Sequence, residues 1–401
     1  VFSQEVIDSK LRALTAAFKP SFEIREHTVE EVDEMTRRLA TVRDHRGKML
    51  RPLAEDEQRF IITERILTQS SFKYWAERHC FINSGGAKLI RMHPFLPSQD
   101  FILSKLADAE LKITHGEWHD GIFCNLLKGA RQTGGSTFAE SVGAYLFTTT
   151  EHLFGLIAAD DPGTSAFMFD MFERMIENLP WWLSPQVIEH VKNQEMLFDT
   201  EAHIWVGSGK STRGTEGQRG QLGRGKTLAF AHLSEVSTWE DAQIKQVDGS
   251  LLPTMHRLPT TFAFFESTAK GRGKNWWFEH WRYSRMGKTR FKVNIFIPWY
   301  VEPRYAIPAP ANWQPAFETL AHARHCEETG PAYLGRSVSL TRDQLFWYEA
   351  TRESYEVKDN LKTFIEEFGS VTDDECFQLS GRSVFSTKVQ QRIKDQARPL
   401  L

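Results

Sequence analysis

The segment at residues 122–147 constrains the fold more than any other. Ile122, Phe123, Cys124, Asn125, Leu126 and Leu127 form a short apolar run, KGARQTGGST follows at 128–137, and 136–147 reads as a helix. An apolar strand, a glycine-rich turn and a helix in that order form a building unit of an α/β sheet. Written as Gly129-x4-Gly134-Gly135-Ser136, the turn has the frame of a phosphate-binding loop, with Gly135 where a lysine usually stands. In such a loop glycines let backbone N–H groups converge on phosphate oxygens, and the helix that follows points its positive end at them. Ser136 is then placed to hold Mg²⁺. The missing lysine charge can come from Arg131 inside the loop or from Lys128 at its mouth. A structural turn at a helix start has the same composition, but the strand before it and the helix after it favour the phosphate reading.

The rest of the chain agrees with an α/β domain. Residues 156–159 form a second buried run, ended by Asp160, Asp161 and Pro162. A helix is expected from near Thr164, with Phe167, Met171, Phe172, Met175, Ile176 and Leu179 on one face and Pro180 as its stop. Residues 196–198 and 203–206 read as a hairpin, and 228–233, 260–265 and 291–297 as further strands. Short apolar strands separated by helices predict a largely parallel sheet. The first sixty residues read as charged helices, and Phe72, Tyr74, Trp75 and Phe81 as packing residues. Beyond Pro298, prolines at 303, 308, 310 and 315 mark a loop, followed by polar helices at 341–355 and 357–368. The expected division is an N-terminal helical arm at 1–59, a core at 60–300, a small helical lid subdomain at 301–385 and a linker start at 386–401.

Composition narrows the partners. With 49 basic and 52 acidic residues among 401, the net charge is −3, so any grip on nucleic acid must be local. Residues 207–226 carry Lys210, Arg213, Arg219, Arg224 and Lys226 against Glu216, among many glycines. Residues 270–292 carry Lys270, Arg272, Lys274, Arg282, Arg285, Lys288, Arg290 and Lys292 against Glu279, interleaved with Trp276, Trp277, Phe278, Trp281 and Tyr283. Either segment also reads as solvated surface over a core. Cys80, Cys124, Cys326 and Cys376 are scattered, which argues against a disulfide framework or zinc ribbon and suits a reducing compartment. His322, His325 and Cys326 lack a fourth metal partner. The sequence shows neither a basic-then-apolar leader nor a long apolar run, so no membrane partner is expected.

Two strand ends carry chemistry. LAFAHLSE at 228–235 ends in Ser234 and Glu235, and ligands of open α/β sheets sit at carboxyl ends of strands. Glu235 there can orient and deprotonate water for attack on a γ-phosphate, while Ser234 stands where an aspartate would reach Mg²⁺ through water. The same pair also reads as a helix N-cap. FAFFESTAKG at 262–271 brings Ser267, Thr268 and Ala269 to a strand end, where small hydroxyls can sense the γ-phosphate. Upstream, the amide of Gln99 can donate to and accept from an adenine edge.

The ordered set of Gln99, ARQTGGST, GRGKT at 223–227, HLSEVSTWED and ESTAKG resembles the ATPase half of the large terminase subunit, the DNA-packaging motor of tailed bacteriophages. The resemblance spans roughly residues 60 to 385. It implies an additional-strand, RecA-like P-loop NTPase using ATP and Mg²⁺, in the cytoplasm of the bacterial host. It places nucleotide contacts on Gln99, Gly129, Arg131, Gln132, Thr133, Gly134, Gly135, Ser136 and Thr137. Arg131 substitutes for the loop lysine, Glu235 activates water, Ser136 and Ser234 face the metal, and Ser267, Thr268 and Ala269 couple hydrolysis to movement. Arg219 or Arg224 is the candidate arginine finger, and Lys270, Arg272, Lys274 and Arg282 are candidates for gripping DNA. Implied partners are double-stranded DNA, a portal ring, the small terminase subunit and further copies in a pentameric ring. Complete members also carry a C-terminal endonuclease domain. After Gly381 the only acid is Asp395, so an ATPase fragment or a nuclease-free form is expected. Two other readings stay open: a helicase-like ATPase that stacks single strands on the aromatic run at 276–283, and a portal-docking module that no longer hydrolyses ATP.

Overall fold

The computed structural model describes residues 1–83, 88–208, 227–270 and 275–378. The expected alternation appears as an eight-stranded sheet. Its strands are β1 (Ile122–Gly129), β2 (Phe154–Ala159), β3 (Val187–Val191), β4 (Glu195–Phe198), β5 (His203–Ser208), β6 (Phe230–Ser234), β7 (Phe262–Thr268) and β8 (Val293–Pro298). The spatial order is β8-β1-β7-β6-β2-β5-β4-β3, parallel from β8 to β5, with β4 and β3 added antiparallel at one edge. β7 therefore lies between β1, which leads into the glycine-rich loop, and β6, which ends at Ser234. That extra strand defines the additional-strand P-loop arrangement.

Both faces of the parallel strands are covered, so they read as continuous apolar runs. Alternation sorts their side chains. On β7, Phe262 and Phe264 join the core on one face, while Ala263 and Phe265 join the core on the other. The first face is packed by α4 (Phe72–His79), α5 (Pro97–Thr114), α6 (Gly135–Thr149) and α7 (Pro162–Glu177). The second is packed largely by α8 (Asp241–Gln246) and α9 (Trp276–Arg285). The sequence reading did not anticipate α5, nor the edge strand β3.

Ahead of the sheet, α1 (Gln4–Phe18), α2 (Val29–Ala40) and α3 (Glu55–Ser70) make up the N-terminal helices. The backbone N–H groups of Phe2 and Ser3 bond Glu110 of α5, which fastens the segment before α1 to the core. After β8 come α10 (Phe317–Leu334), α11 (Arg342–Glu356), α12 (Leu361–Phe364) with a further turn at Ile365–Gly369, and α13 (Asp373–Gln378). Of these, α10 carries His322, His325 and Cys326, which the sequence leaves open as surface helix or loop; it is a helix, with Cys326 buried rather than at the surface. Trp299, Tyr300, Cys326, Tyr348 and Phe364 pack there around Ala130, which seats the C-terminal helices against the glycine-rich loop.

The aromatic run at 276–283 is mostly interior, against the stacking role proposed for it. Trp277 and Trp281 are buried, Phe278 packs on Phe377, and Trp276 stacks on His280. A helix laid across an apolar sheet face uses its large rings for packing first. All four cysteines are free and buried. Cys326 and His322 lie on α10, where His322 stacks on Tyr348 and His325 bonds Glu375, and the described residues hold no metal-binding group of His, Cys, Asp and Glu.

Candidate nucleotide site at the sheet edge

The loop between β1 and α6 is held from outside by its carbonyls. The carbonyl of Arg131 accepts from the Tyr305 hydroxyl and that of Gln132 from the Arg304 guanidinium. The carbonyl of Thr133 accepts from Ser98 Oγ, and that of Gly134 from Gln99 Nε2 at 3.3 Å. In a planar trans peptide the N–H points opposite to the C=O. Tying back four consecutive carbonyls therefore turns the N–H groups of residues 132–135 the other way, as an anion cradle needs. Gln132 and Gly134 supply the left-handed backbone, with φ of 53° and 74°. Gly134 sits at the N-cap of α6, whose positive end adds to the cradle.

Gln99 braces the loop from the side of α5. Its Oε1 accepts from the Leu96 N–H at 3.0 Å and its Nε2 donates to the Gly134 carbonyl, so the buried amide shapes the loop. Thr137 turns away, onto a cavity of about 250 Å³ lined by Phe167, Met171 and Met175 of α7. Arg131 extends outward, 58% exposed, and pairs with Glu367. Glu367, with the field of Glu235 adding to it, holds the guanidinium above its ordinary pKa. Arg131 and Glu235 thus share one electrostatic neighbourhood.

Inside the edge lies a chain of charged groups that the sequence reading largely missed. Lys128 Nζ sits 2.7 Å from Glu235 Oε1 and 3.7 Å from Glu266 Oε2. Glu266, fully buried on β7, accepts through Oε1 from Ser136 Oγ and from Ser234 Oγ, the latter at 2.9 Å. His232 Nε2 lies 3.5 Å from the same oxygen, and its Nδ1 lies 2.7 Å from Glu140. Ser136 and Glu140 are one turn apart on α6, so they share the face turned to the sheet. Burial alone would raise Glu266, yet Lys128, His232 and Ser136 together hold its carboxyl well below the usual carboxylate range. Burial likewise opposes the Lys128 ammonium, and the carboxylates of Glu266 and Glu235 leave it above the ordinary lysine value.

Ser234 is therefore not a helix cap: its hydroxyl is given to Glu266. Glu235 itself occupies the left-handed region at φ 53°, leading into a short turn at Val236–Thr238. Such a conformation is costly for a non-glycine residue and concentrates at functional sites. Ser267 Oγ bonds Ser237 Oγ at 2.7 Å and lies 3.5 Å from Glu235 Oε2, which ties β7 to the acid. Thr268 is half-buried and Ala269 buried. Lys270 and Arg282 are exposed, Arg282 beside Glu279. Arg219, Arg224, Arg272 and Lys274 lie outside the described residues.

The sheet order and the tied-back loop define an additional-strand P-loop fold. Neither a family model nor a curated protein matches the chain. Among solved structures it is similar to the large terminase of bacteriophage HK97, with 12% identity and a TM-score of 0.47 over 76% of this chain and 55% of that one. It is also similar to the large terminase of a thermophilic bacteriophage in complex with ADP, with 15% identity and a TM-score of 0.36 over 51% of this chain and 46% of that one. A third similar structure is the ATPase domain of the Thermus phage P74-26 large terminase, with 19% identity and a TM-score of 0.30 over 47% and 74%. The chain spans about half the length of the first two of these proteins.

Proposed function

We propose that this chain binds and hydrolyses ATP at the edge formed by β1, β7 and β6, and that it is the ATPase part of a phage large terminase that moves double-stranded DNA. The observation that carries the catalytic reading is the loop whose four carbonyls are tied back, with Glu235 at the end of a neighbouring strand. The inward N–H groups bind the β- and γ-phosphates. Glu235 accepts a proton from the attacking water, whose oxygen bonds phosphorus as the bond to the ADP oxygen breaks. Lys128 lies at the same edge and offsets negative charge, and Arg131 reaches the phosphates by leaving Glu367. Ser267 passes the state of Glu235 into β7, and Lys270 and Arg282 offer exposed charge to the DNA backbone in a salt-sensitive grip.

The residues fit Mg²⁺. Ser136 Oγ gives its one proton to Glu266, which leaves its lone pairs for a cation. When bound, the ion draws charge from the phosphate oxygens. The packaging role rests on the order of motifs in the sequence. The portal ring, the small terminase subunit, a pentameric ring, a finger from Arg219 or Arg224, and work in the host cytoplasm belong to that reading. Among the described residues no helix is long and apolar enough to cross a membrane.

Phosphate release with and without double-stranded DNA tests the proposal, using Glu235→Gln. The variant should bind ATP and lose about 10²–10⁴ in turnover, the usual worth of a general base. Unchanged turnover would remove Glu235 from the reaction. One observation favours a second reading, a docking module that does not hydrolyse: both loop cations are paired with carboxylates, Lys128 with Glu235 and Arg131 with Glu367. Absence of phosphate release in the unaltered chain at any concentration, with DNA present, would select it.

A further inference from the structure

We propose that Glu266, on β7, supplies the metal-site carboxylate that position 234 lacks, so that the Mg²⁺ of the nucleotide is held by an acid moved one strand sideways. The inference rests on the nucleotide reading above and names a residue to which that reading assigns no role.

In a loop of this kind, the serine that offers a lone pair to the cation needs an acceptor for its proton, and a carboxylate strengthens that bond most. Residue 234 is the usual place for that acid, and here it is a serine, with no negative charge to give. Glu266 does the accepting. Its Oε1 takes the protons of both Ser136 and Ser234. The placement follows from register. Glu266 is the Cα partner of Ser234 on one side and of Leu126 on the other. Two residues beyond Phe264, it faces α6 by the alternation of β7.

The second oxygen points to a ligand independently. Glu266 Oε2 is buried and makes no hydrogen bond among the described residues, with Lys128 Nζ no nearer than 3.7 Å. It lies under the first turn of α6: a Cβ placed on Gly135 would stand 3.2 Å from it. A buried carboxylate oxygen left without a donor is costly unless something occupies its free side at some stage of the cycle.

The test is equilibrium binding of a fluorescent, non-hydrolysable ATP analogue to the full chain, once with magnesium chloride and once with EDTA. The unaltered protein should bind more tightly with magnesium. Glu266→Gln keeps the shape and one acceptor oxygen; measured against its own affinity in EDTA, it should lose about 10–100-fold of the magnesium-dependent gain, the usual cost of removing a group that positions a metal ligand. Adding Ser234→Asp to that variant returns an acid to the neighbouring strand and should restore most of the gain. If Glu266→Gln alone does not fold, Glu266→Asp, which keeps the charge but withdraws it by one methylene, carries the test: a reduced gain supports the proposal and a full one overturns it. A full magnesium-dependent gain in folded Glu266→Gln overturns it while leaving the nucleotide site standing. If the unaltered chain binds no analogue in either condition, the nucleotide reading and this inference fall together.

Discussion

The sharpest consequence of the buried charge chain concerns Glu140→Gln. His232 is fully buried, with Glu140 2.7 Å from Nδ1 and Glu266 3.5 Å from Nε2. Burial alone would lower the imidazole, but the two carboxylates outweigh it and hold it at about 9. Burial raises the Glu140 carboxyl, and His232 offsets only part of that rise. A histidine raised above its unfolded value stabilises the fold fully below the unfolded pKa and loses that contribution as pH climbs through the folded one. Here the window runs from about 6.5 to about 9. At about 1.4 kcal/mol per pKa unit, the rise of His232 corresponds to roughly 3 kcal/mol, less what the raised Glu140 takes back.

Glu140→Gln leaves the imidazolium with burial against it and a single carboxylate at the longer distance. Removing one member of a buried pair costs about 3–5 kcal/mol. With a urea slope of about 3 kcal/mol per molar, the midpoint should fall by about 1–1.7 M near neutral pH. At about pH 10 the unaltered protein has itself lost most of the imidazolium, so the two unfolding free energies should draw together to within about 1 kcal/mol. Urea unfolding followed by tryptophan fluorescence between about pH 6 and 10 reads both effects. A difference that stays constant over that range, or one below about 1 kcal/mol throughout, would refute the assignment of a charged His232.

Gly135→Ala would place a Cβ 2.5 Å from Leu126 Cδ2 and 3.2 Å from Glu266 Oε2. It should destabilise by about 1–3 kcal/mol despite the better helix propensity of alanine, and weaken the ATP analogue; a higher urea midpoint would contradict the packing described. Glu367→Gln frees Arg131 from a partner on the exposed side of the loop. Since such pairs are worth about 0–1 kcal/mol, analogue affinity should rise by up to about fivefold, and a fall would mean that Arg131 is not drawn to the phosphates.

Local pattern was enough to place the strand, glycine loop and helix at 122–147, the acid just past the 228–233 run, and the α/β class, because alternation, glycine and strand-end position are written in neighbouring residues. The side-chain partners at the site were not written there. Glu266 sat in plain view within FAFFESTAKG, but its importance depends on β7 lying between β1 and β6, a pairing of segments more than a hundred residues apart on one side. The same holds for Gln99, whose bond to the Gly134 carbonyl no local pattern announces, and for Trp277 and Trp281, which could stack on a base as readily as on a core until the sheet face beneath them was known. Secondary structure follows from short-range sterics and burial period; the ownership of each buried polar group follows from which strands are adjacent, and only the folded sheet decides that.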